Sequence, residues 1–378
     1  MKVMMAYGRA GLELTLPEEW EVTVLRKSTM PVLADPAQAV AQALASPVGC
    51  APLAEEARGG KSACIAVCDI TRPVPNGLFL PALLERLQEA GLPKNQITIL
   101  VATGLHRPNL GDELTALLGH EEILNMARVV NHDARNNDDH IKLGLTSRQT
   151  PVLIDRRFVQ ADLRIVTGLV EPHFMAGYSG GRKVVAPGLA HHRTIRRFHA
   201  AAFLEHPNAA NCVLDGNPLH EDQMEILDMV GQILAVNTVV DERRRLSFIN
   251  FGEVRQSHGQ AVEFVRRHAE IHLAEQYDAV ITSSAGDPLD KTYYQTVKGM
   301  VGAMRILKPG GRILIVSRCE EGLGSKEYAV AQQRLVEWGP DRFIREIKKK
   351  NLAAIDEWQT EMQCRATVSY THLTLPTN

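Results

Sequence analysis

The 378-residue chain has no accumulation of basic residues: 42 Lys and Arg stand against 44 Asp and Glu, a net charge of −2. A sequence-independent grip on nucleic acid needs a basic stripe, so that class is set aside. No apolar run approaches the roughly 20 residues of a membrane-spanning helix. The N-terminal segment lacks the basic-then-apolar layout of a secretion signal, because Gly8, Arg9 and Glu13 interrupt it early. The six cysteines form no CxxC pair, so buried, reduced thiols are expected rather than a disulfide framework or a metal site. Zinc spacing such as H-E-x-x-H is missing as well. These absences lead to the expectation of a cytoplasmic protein with neither nucleic acid nor membrane as partner. Hydrophobic content of 45% and charged content of 23% are those of an ordinary globular protein, and the length suggests two domains.

What is present is an alternation of strand-like and helix-like segments. Ala63–Asp69 (ACIAVCD) is a short apolar run ending in a polar loop, as in a buried parallel strand. Gly77–Gly91 carries helical periodicity through Leu80, Leu83, Leu84 and Leu87. Gln96–Ala102 and Arg164–Leu169 are two more buried strands, each running into a polar loop. The pattern predicts an α/β fold with a mainly parallel sheet flanked by helices. In such sheets ligands gather at the carboxyl ends of strands, where all three polar loops lie. Beyond about Arg243 the alternation restarts. A helix is expected over Gly259–Ala274, a strand over Ala279–Ser283, a helix over Thr292–Leu307, a turn at Lys308–Gly311 (KPGG) and a strand over Arg312–Val316. This division gives an N-terminal α/β domain over residues 1–271 and a smaller C-terminal α/β domain over 272–367. Residues 368–378 (beginning VSYTHLTLPT) continue no preceding pattern and resemble a translated sequencing adapter, so they are expected to be a non-native tail.

Four clusters carry chemistry. Asp69-Ile70-Thr71-Arg72-Pro73 follows a buried strand, and its Arg can offer two parallel hydrogen bonds to a carboxylate, with the Asp orienting it. Taken alone, a salt-bridged turn explains it equally well. Thr103–Pro108 holds His106, a candidate acid or base near neutral pH, although any single histidine is more often a surface residue. The third run is Glu171–Lys183 (EPHFMAGYSGGRK), whose glycines at 177, 180 and 181 let backbone amides approach an anion. It is not a P-loop: Gly177 and Gly181 are three residues apart, Arg182 precedes Lys183, and Val184 replaces the hydroxyl residue. The fourth is His191–His199. Thr194 onward reads as a helix with Ile195, Phe198 and Phe203 inward, and His192 and His199 sharing a face two turns apart. A polar amphipathic helix is the plainer account of that segment.

In order and approximate spacing, the runs CDITRPVPN, ATGLHRP, EPHFMAGYSGGRKVVAPG and PLDKTYYQTVKG resemble the nickel-dependent lactate racemase family, over about Asp69 to Gly324. The resemblance implies a 2-hydroxy-acid racemase or epimerase with its site in the cleft between the domains. It implies a nickel-pincer nucleotide (a pyridinium-3-thioamide-5-thiocarboxylic acid mononucleotide) covalently joined to Lys183, with His199 as the fourth nickel ligand. His106 and His173 correspond to the paired acid/base residues. Asp69, Arg72, Gln295 and Lys298 correspond to the groups at the substrate carboxylate, and Ser179, Gly180 and Gly181 would lie against the cofactor. The chemistry expected is reversible hydride transfer from C2 through a 2-keto acid. Partners would be a small 2-hydroxy acid and the proteins that make the cofactor. Two departures stand out: the family often has Asn where this chain has Phe198, and it usually extends further at the C-terminus.

Two rivals are weighed against this. Leu307–Val316 (LKPGGRILIV) resembles the PGG turn and strand of methyl-donor enzymes, but no glycine-rich nucleotide loop with a matching acidic residue accompanies it. A non-catalytic protein binding a metal nucleotide or hydroxy acid would share every binding residue, and only the paired histidines speak against it.

Overall fold

The computed structural model describes residues 1–368, and the expected non-native tail lies, beyond Val368, outside them. The chain packs as two compact units. The larger comprises Lys27–Phe198 and Cys212–Glu270; the smaller comprises Met1–Arg26, His199–Asn211 and the chain from Ile271 onward. Local periodicity reports which elements form, not which core each element joins.

The larger unit is built on six strands: β1 (Ala63–Cys68), β2 (Ile97–Ala102), β3 (Arg128–Asn131), β4 (Leu163–Leu169), β5 (Leu234–Val240) and β6 (Leu246–Glu253). Their order across the sheet is β6-β5-β4-β1-β2-β3. All neighbours are parallel except β5 and β6. Strand β1 sits inside the sheet, and Ala63 to Val67 are buried on both faces, which is why the run shows no alternation. Among the helices of this unit, those that bear on the site are α1 (Asn76–Glu89), α2 (Arg182–Val185), α3 (His192–Phe198), and, after the chain returns from α4 (Ala201–Leu204) in the smaller unit, α5 (Pro218–Val230) and α6 (Val254–Ala269). Helix α1 places Leu80, Leu83, Leu84 and Leu87 in one fully buried stripe, in the same core as Ile65, Val67, Ile99 and Val101.

The three expected strands and the first helix form within two residues of their anticipated limits. Helix α6 starts five residues earlier than anticipated, at Val254 rather than Gly259. The Glu253 carboxylate caps it by accepting from the Arg255 and Gln256 amides, and buried Val254, Ser257 and His258 extend the inward face.

The smaller unit holds parallel β7 (Tyr277–Ser283) and β8 (Leu307–Val316) with α7 (Tyr293–Ala303), α8 (Lys326–Trp338) and α9 (Glu357–Val368). Lys308–Gly311 is not a turn ahead of the strand but lies within β8. Pairing jumps from Tyr277–Leu307 to Ala279–Arg312, so the KPGG residues are accommodated as a bulge. Among the described residues, no helix is long and apolar enough to cross a membrane. The six cysteines, all among the described residues, form no disulfide with one another.

One buried polar contact ties the site-bearing segments down. His132 follows β3, with Nδ1 3.0 Å from Asp155 Oδ2 and Nε2 3.2 Å from the Ala190 carbonyl, just ahead of α3. Burial by itself pushes the Asp155 carboxyl up, but hydrogen bonds from Arg157 and His132 outweigh it and carry the group down to about 2. A carboxyl held below its unfolded value of about 3.9 stabilises the fold above that pH and loses the contribution as pH falls toward the folded value. Asp155→Asn should therefore lower stability at neutral pH by about 2–3 kcal/mol in urea titrations and flatten the pH dependence between about pH 4 and 2.

Candidate active site

Strands β4, β1 and β2 lie side by side and parallel, so their carboxyl ends share one edge. Each runs into a loop that holds expected site residues: Glu171–His173 after β4, Asp69–Arg72 after β1, and Thr103–His106 after β2. The His106 loop is also fastened to the glycine-rich segment, because the Gly104 amide donates to the Gly188 carbonyl at 3.0 Å.

Asp69 is buried, and its two oxygens have separate partners. Thr71 Oγ1 donates to Oδ1 at 2.6 Å, and His106 Nδ1 lies 2.6 Å from Oδ2. A carboxylate only accepts, so the Nδ1 of neutral His106 carries the proton and Nε2 keeps its lone pair, on a side chain that is 61% exposed. Burial alone would raise the Asp69 carboxyl; the hydrogen bonds from His106 and Thr71 and the Arg72 charge bring it below the ordinary value. The expected pairing of Asp69 with Arg72 is not what forms. The carboxylate orients His106 instead, because neighbouring strand ends meet across the sheet, while Arg72 contributes its amide to close the turn on the Asp69 carbonyl at 3.0 Å.

His173 is held differently. Its Nδ1 accepts from the Met175 and Ala176 amides at 3.3 and 3.2 Å, which places the proton of the neutral ring on Nε2. The two histidines are thus set in opposite tautomers, one with an accepting Nε2 and the other with a donating Nε2.

Lys183 is the one residue between 174 and 186 that retains partial exposure. Burial pushes the nearby Cys68 thiol up to about 12, and the charges acting on it are those of Asp69, Arg72, Lys183 and Glu171. Those four groups therefore lie within electrostatic range of a single sulfur atom. The motif residues around Lys183 serve the fold. Ser179 Oγ donates to the Leu169 carbonyl at 2.7 Å and accepts from the Glu171 amide at 3.0 Å. A Cβ at Gly180 (φ +74°) would sit 2.7 Å from Val170, and one at Gly181 (φ +47°) 2.8 Å from the His258 ring. Protein packing alone demands glycine at both positions.

His199, Gln295 and Lys298 belong to the smaller unit. Helix α3 ends at fully buried Phe198, and His199, seven residues after His192, occupies the turn that follows. From there the chain packs on α9, where Arg365 bonds the Leu204 and Ala209 carbonyls. Tertiary packing overrides the periodicity at that point. The His199 ring is 9% exposed, with its centroid 4.8 Å from that of Trp358. Gln295 and Lys298 share one face of α7, and Gln295 Oε1 is buried without a hydrogen-bond partner among the described residues. Sequence reasoning gives Thr71 no role within its cluster and misses Trp358, which has no local signal.

A nickel-pincer nucleotide is compatible with these donors. Among the described residues no three His, Cys, Asp or Glu side chains are grouped to hold a metal ion. Lys183, a partly open lysine in a buried segment, could carry such a group, and the His199 imidazole is a donor of the kind nickel accepts.

Two family models match the chain: the lactate racemase N-terminal domain over residues 7–211 and the lactate racemase C-terminal domain over 273–376. The curated lactate racemase of Thermoanaerobacterium thermosaccharolyticum is 34% identical over 328 residues, covering 86% of this chain and 76% of that protein. That of Lactiplantibacillus plantarum is 35% identical over 291 residues, covering 77% and 68%. The apoprotein structure of the T. thermosaccharolyticum enzyme aligns with a TM-score of 0.90 at 31% identity, over 98% of this chain and 87% of that one. A Thermotoga maritima protein aligns at 20% identity with a TM-score of 0.60, over 83% and 80%, and shares the fold.

The tautomer of His106 can be read directly. Nitrogen-15 NMR of the imidazole should report the Nδ1–H form in the wild type and a mixture with the Nε2–H form in Asp69→Ala; an unchanged spectrum in the variant would show that Asp69 does not orient the ring.

Proposed function

The chain belongs to the lactate racemase family, and from that premise we propose that it interconverts the enantiomers of a lactate-like 2-hydroxy acid by reversible removal of the C2 hydrogen as hydride. The observation that carries the reading is the 2.6 Å contact between buried Asp69 and exposed His106 at the mouth of the parallel sheet. A fixed carboxylate behind an open imidazole is the arrangement of a general base. The C2–H of a 2-hydroxy acid is a very poor proton acid, because its loss as a proton would put a second negative charge beside the carboxylate. Taking it as hydride while a base takes the hydroxyl proton yields a neutral ketone group instead.

When bound, the nickel-pincer nucleotide would supply a hydride-accepting ring for the C2 hydrogen, and the substrate would pass through a 2-keto acid. Lys183 is proposed to hold that group covalently and His199 to ligate its nickel, with Ser179, Gly180 and Gly181 shaping the loop that carries the lysine. His106 would take the hydroxyl proton of one enantiomer through Nε2, and His173 would handle the oxygen of the other. Arg72, Gln295 and Lys298 would bind the substrate carboxylate, keeping the keto acid in place while it presents its other face. Asp69 acts through His106, as a positioning residue. Such a cofactor is made by other proteins, so maturation partners are part of the proposal.

The test is made on protein produced with the cofactor pathway. His106→Ala and His173→Ala should each lose at least about 10²-fold in racemisation rate, followed by chiral chromatography of enantiopure lactate, while nickel content stays near that of the wild type. Lys183→Ala should fold but carry no covalent adduct by intact mass. Substantial turnover in either histidine variant refutes the two-histidine assignment, and an adduct surviving in Lys183→Ala refutes the tether.

A further inference from the structure

The arginine that precedes Lys183 is an unusual buried cation. Arg182 is 1% exposed, and among the described residues it makes no ion pair. Its Nη2 donates to the Ala176 and Tyr178 carbonyls at 2.7 and 3.2 Å, whereas Nε is buried without a partner. Its Nη1 is only nominally satisfied, by His258 Nε2 at 3.4 Å. That nitrogen also lies 2.8 Å from the Ser179 carbonyl. A carbonyl only accepts, so His258 Nε2 carries a proton toward Ser179 and has no lone pair to offer the guanidinium. Arg182 thus keeps its charge and several N–H donors in the interior with nothing to neutralise them, a costly state unless an acceptor arrives.

Arg182 is among the residues lining a cavity of about 160 Å³ between α5 and α6, together with His220, Arg255 and His258, with Leu214, Met224, Leu227 and Val254 on the apolar side. A single water takes about 30 Å³ of liquid volume, so the space holds a small solute rather than one solvent molecule. His220 Nδ1 is buried and likewise has no partner. Burial, together with the charges of Arg182 and the neighbouring His258, holds the His220 imidazole down to about 3, which leaves it neutral at physiological pH. Burial lowers the Arg182 guanidinium only to about 9, so it remains charged. Arg255 brings a second cation to the wall, but Asp228 and the Met224 carbonyl already engage it. The uncompensated charge belongs to Arg182.

We propose that this cavity is a binding site for one small inorganic anion, a halide or an oxyanion of phosphate size, held by the Arg182 guanidinium and His220. The site is distinct from the proposed reaction centre and does not depend on the racemase reading. Its occupant would neutralise the charge next to the Lys183 segment and lock α2 against α5 and α6.

The full-length protein, exchanged into gluconate at constant ionic strength, is titrated with sodium chloride and, separately, sodium phosphate. One of the two should raise Tm saturably, by about 3 °C once the anion exceeds its Kd about 100-fold, with a calorimetric stoichiometry near one. That response should vanish in Arg182→Gln and in His220→Phe, the second of which fills the cavity while keeping the arginine. Crystals of the wild type soaked in bromide, or grown in phosphate if phosphate is the anion that stabilises, should show an anomalous bromide or tetrahedral phosphate peak within hydrogen-bond distance of Arg182. No saturable response to either anion in the wild type, an undiminished response in His220→Phe, or a cavity without the peak at saturating anion would each overturn the proposal.

Discussion

Parallel pairing of three apolar strands is the constraint from which the site follows. Parallel neighbours must all point the same way, so β4, β1 and β2 deliver their outgoing loops to one edge of the sheet. Strands buried on both faces are apolar through most of their length, Thr98, Arg164 and Thr167 being the exceptions here, and each becomes strongly polar where it leaves the core. Asp69, His106 and His173 stand at those exits. The meeting of Asp69 with His106 is a consequence of strand order, since their sequence separation of 37 residues is bridged by adjacent β1 and β2.

The glycine-rich segment shows how much of a functional-looking motif is concerned with folding. Gly180 and Gly181 are demanded by Val170 and His258, the Ser179 hydroxyl is spent on Leu169 and Glu171, and Arg182 is turned inward onto backbone carbonyls. These contacts leave Lys183 as the one partly open side chain in the buried run 174–186.

The sequence made the strand and helix content of the sheet plain because burial on both faces and the leucine stripe of α1 are local properties. The three loops could be placed at one edge on the same grounds. Other features were hidden by their non-local origin. The partner of Asp69 lies across the sheet, the end of α3 at Phe198 is set by the departure of the chain into a second core, and the start of α6 is set by a cap that β6 supplies. The assignment of His199 to the smaller unit, along with Trp358 as its ring neighbour, arises from packing of segments far apart in the chain. A proline-glycine run that reads as a turn was absorbed as a bulge because its strand partner continues past it.

The central chemical claim is that the C2 hydrogen travels with its electron pair while histidines move only the hydroxyl proton. Racemisation of lactate deuterated at C2, run in ordinary water with cofactor-loaded protein and followed by mass spectrometry of the separated enantiomers, tests it most directly. The account predicts that deuterium stays on C2 in both enantiomers. Loss of the label to solvent at the rate of racemisation would mean that C2 is deprotonated, and the account would fail.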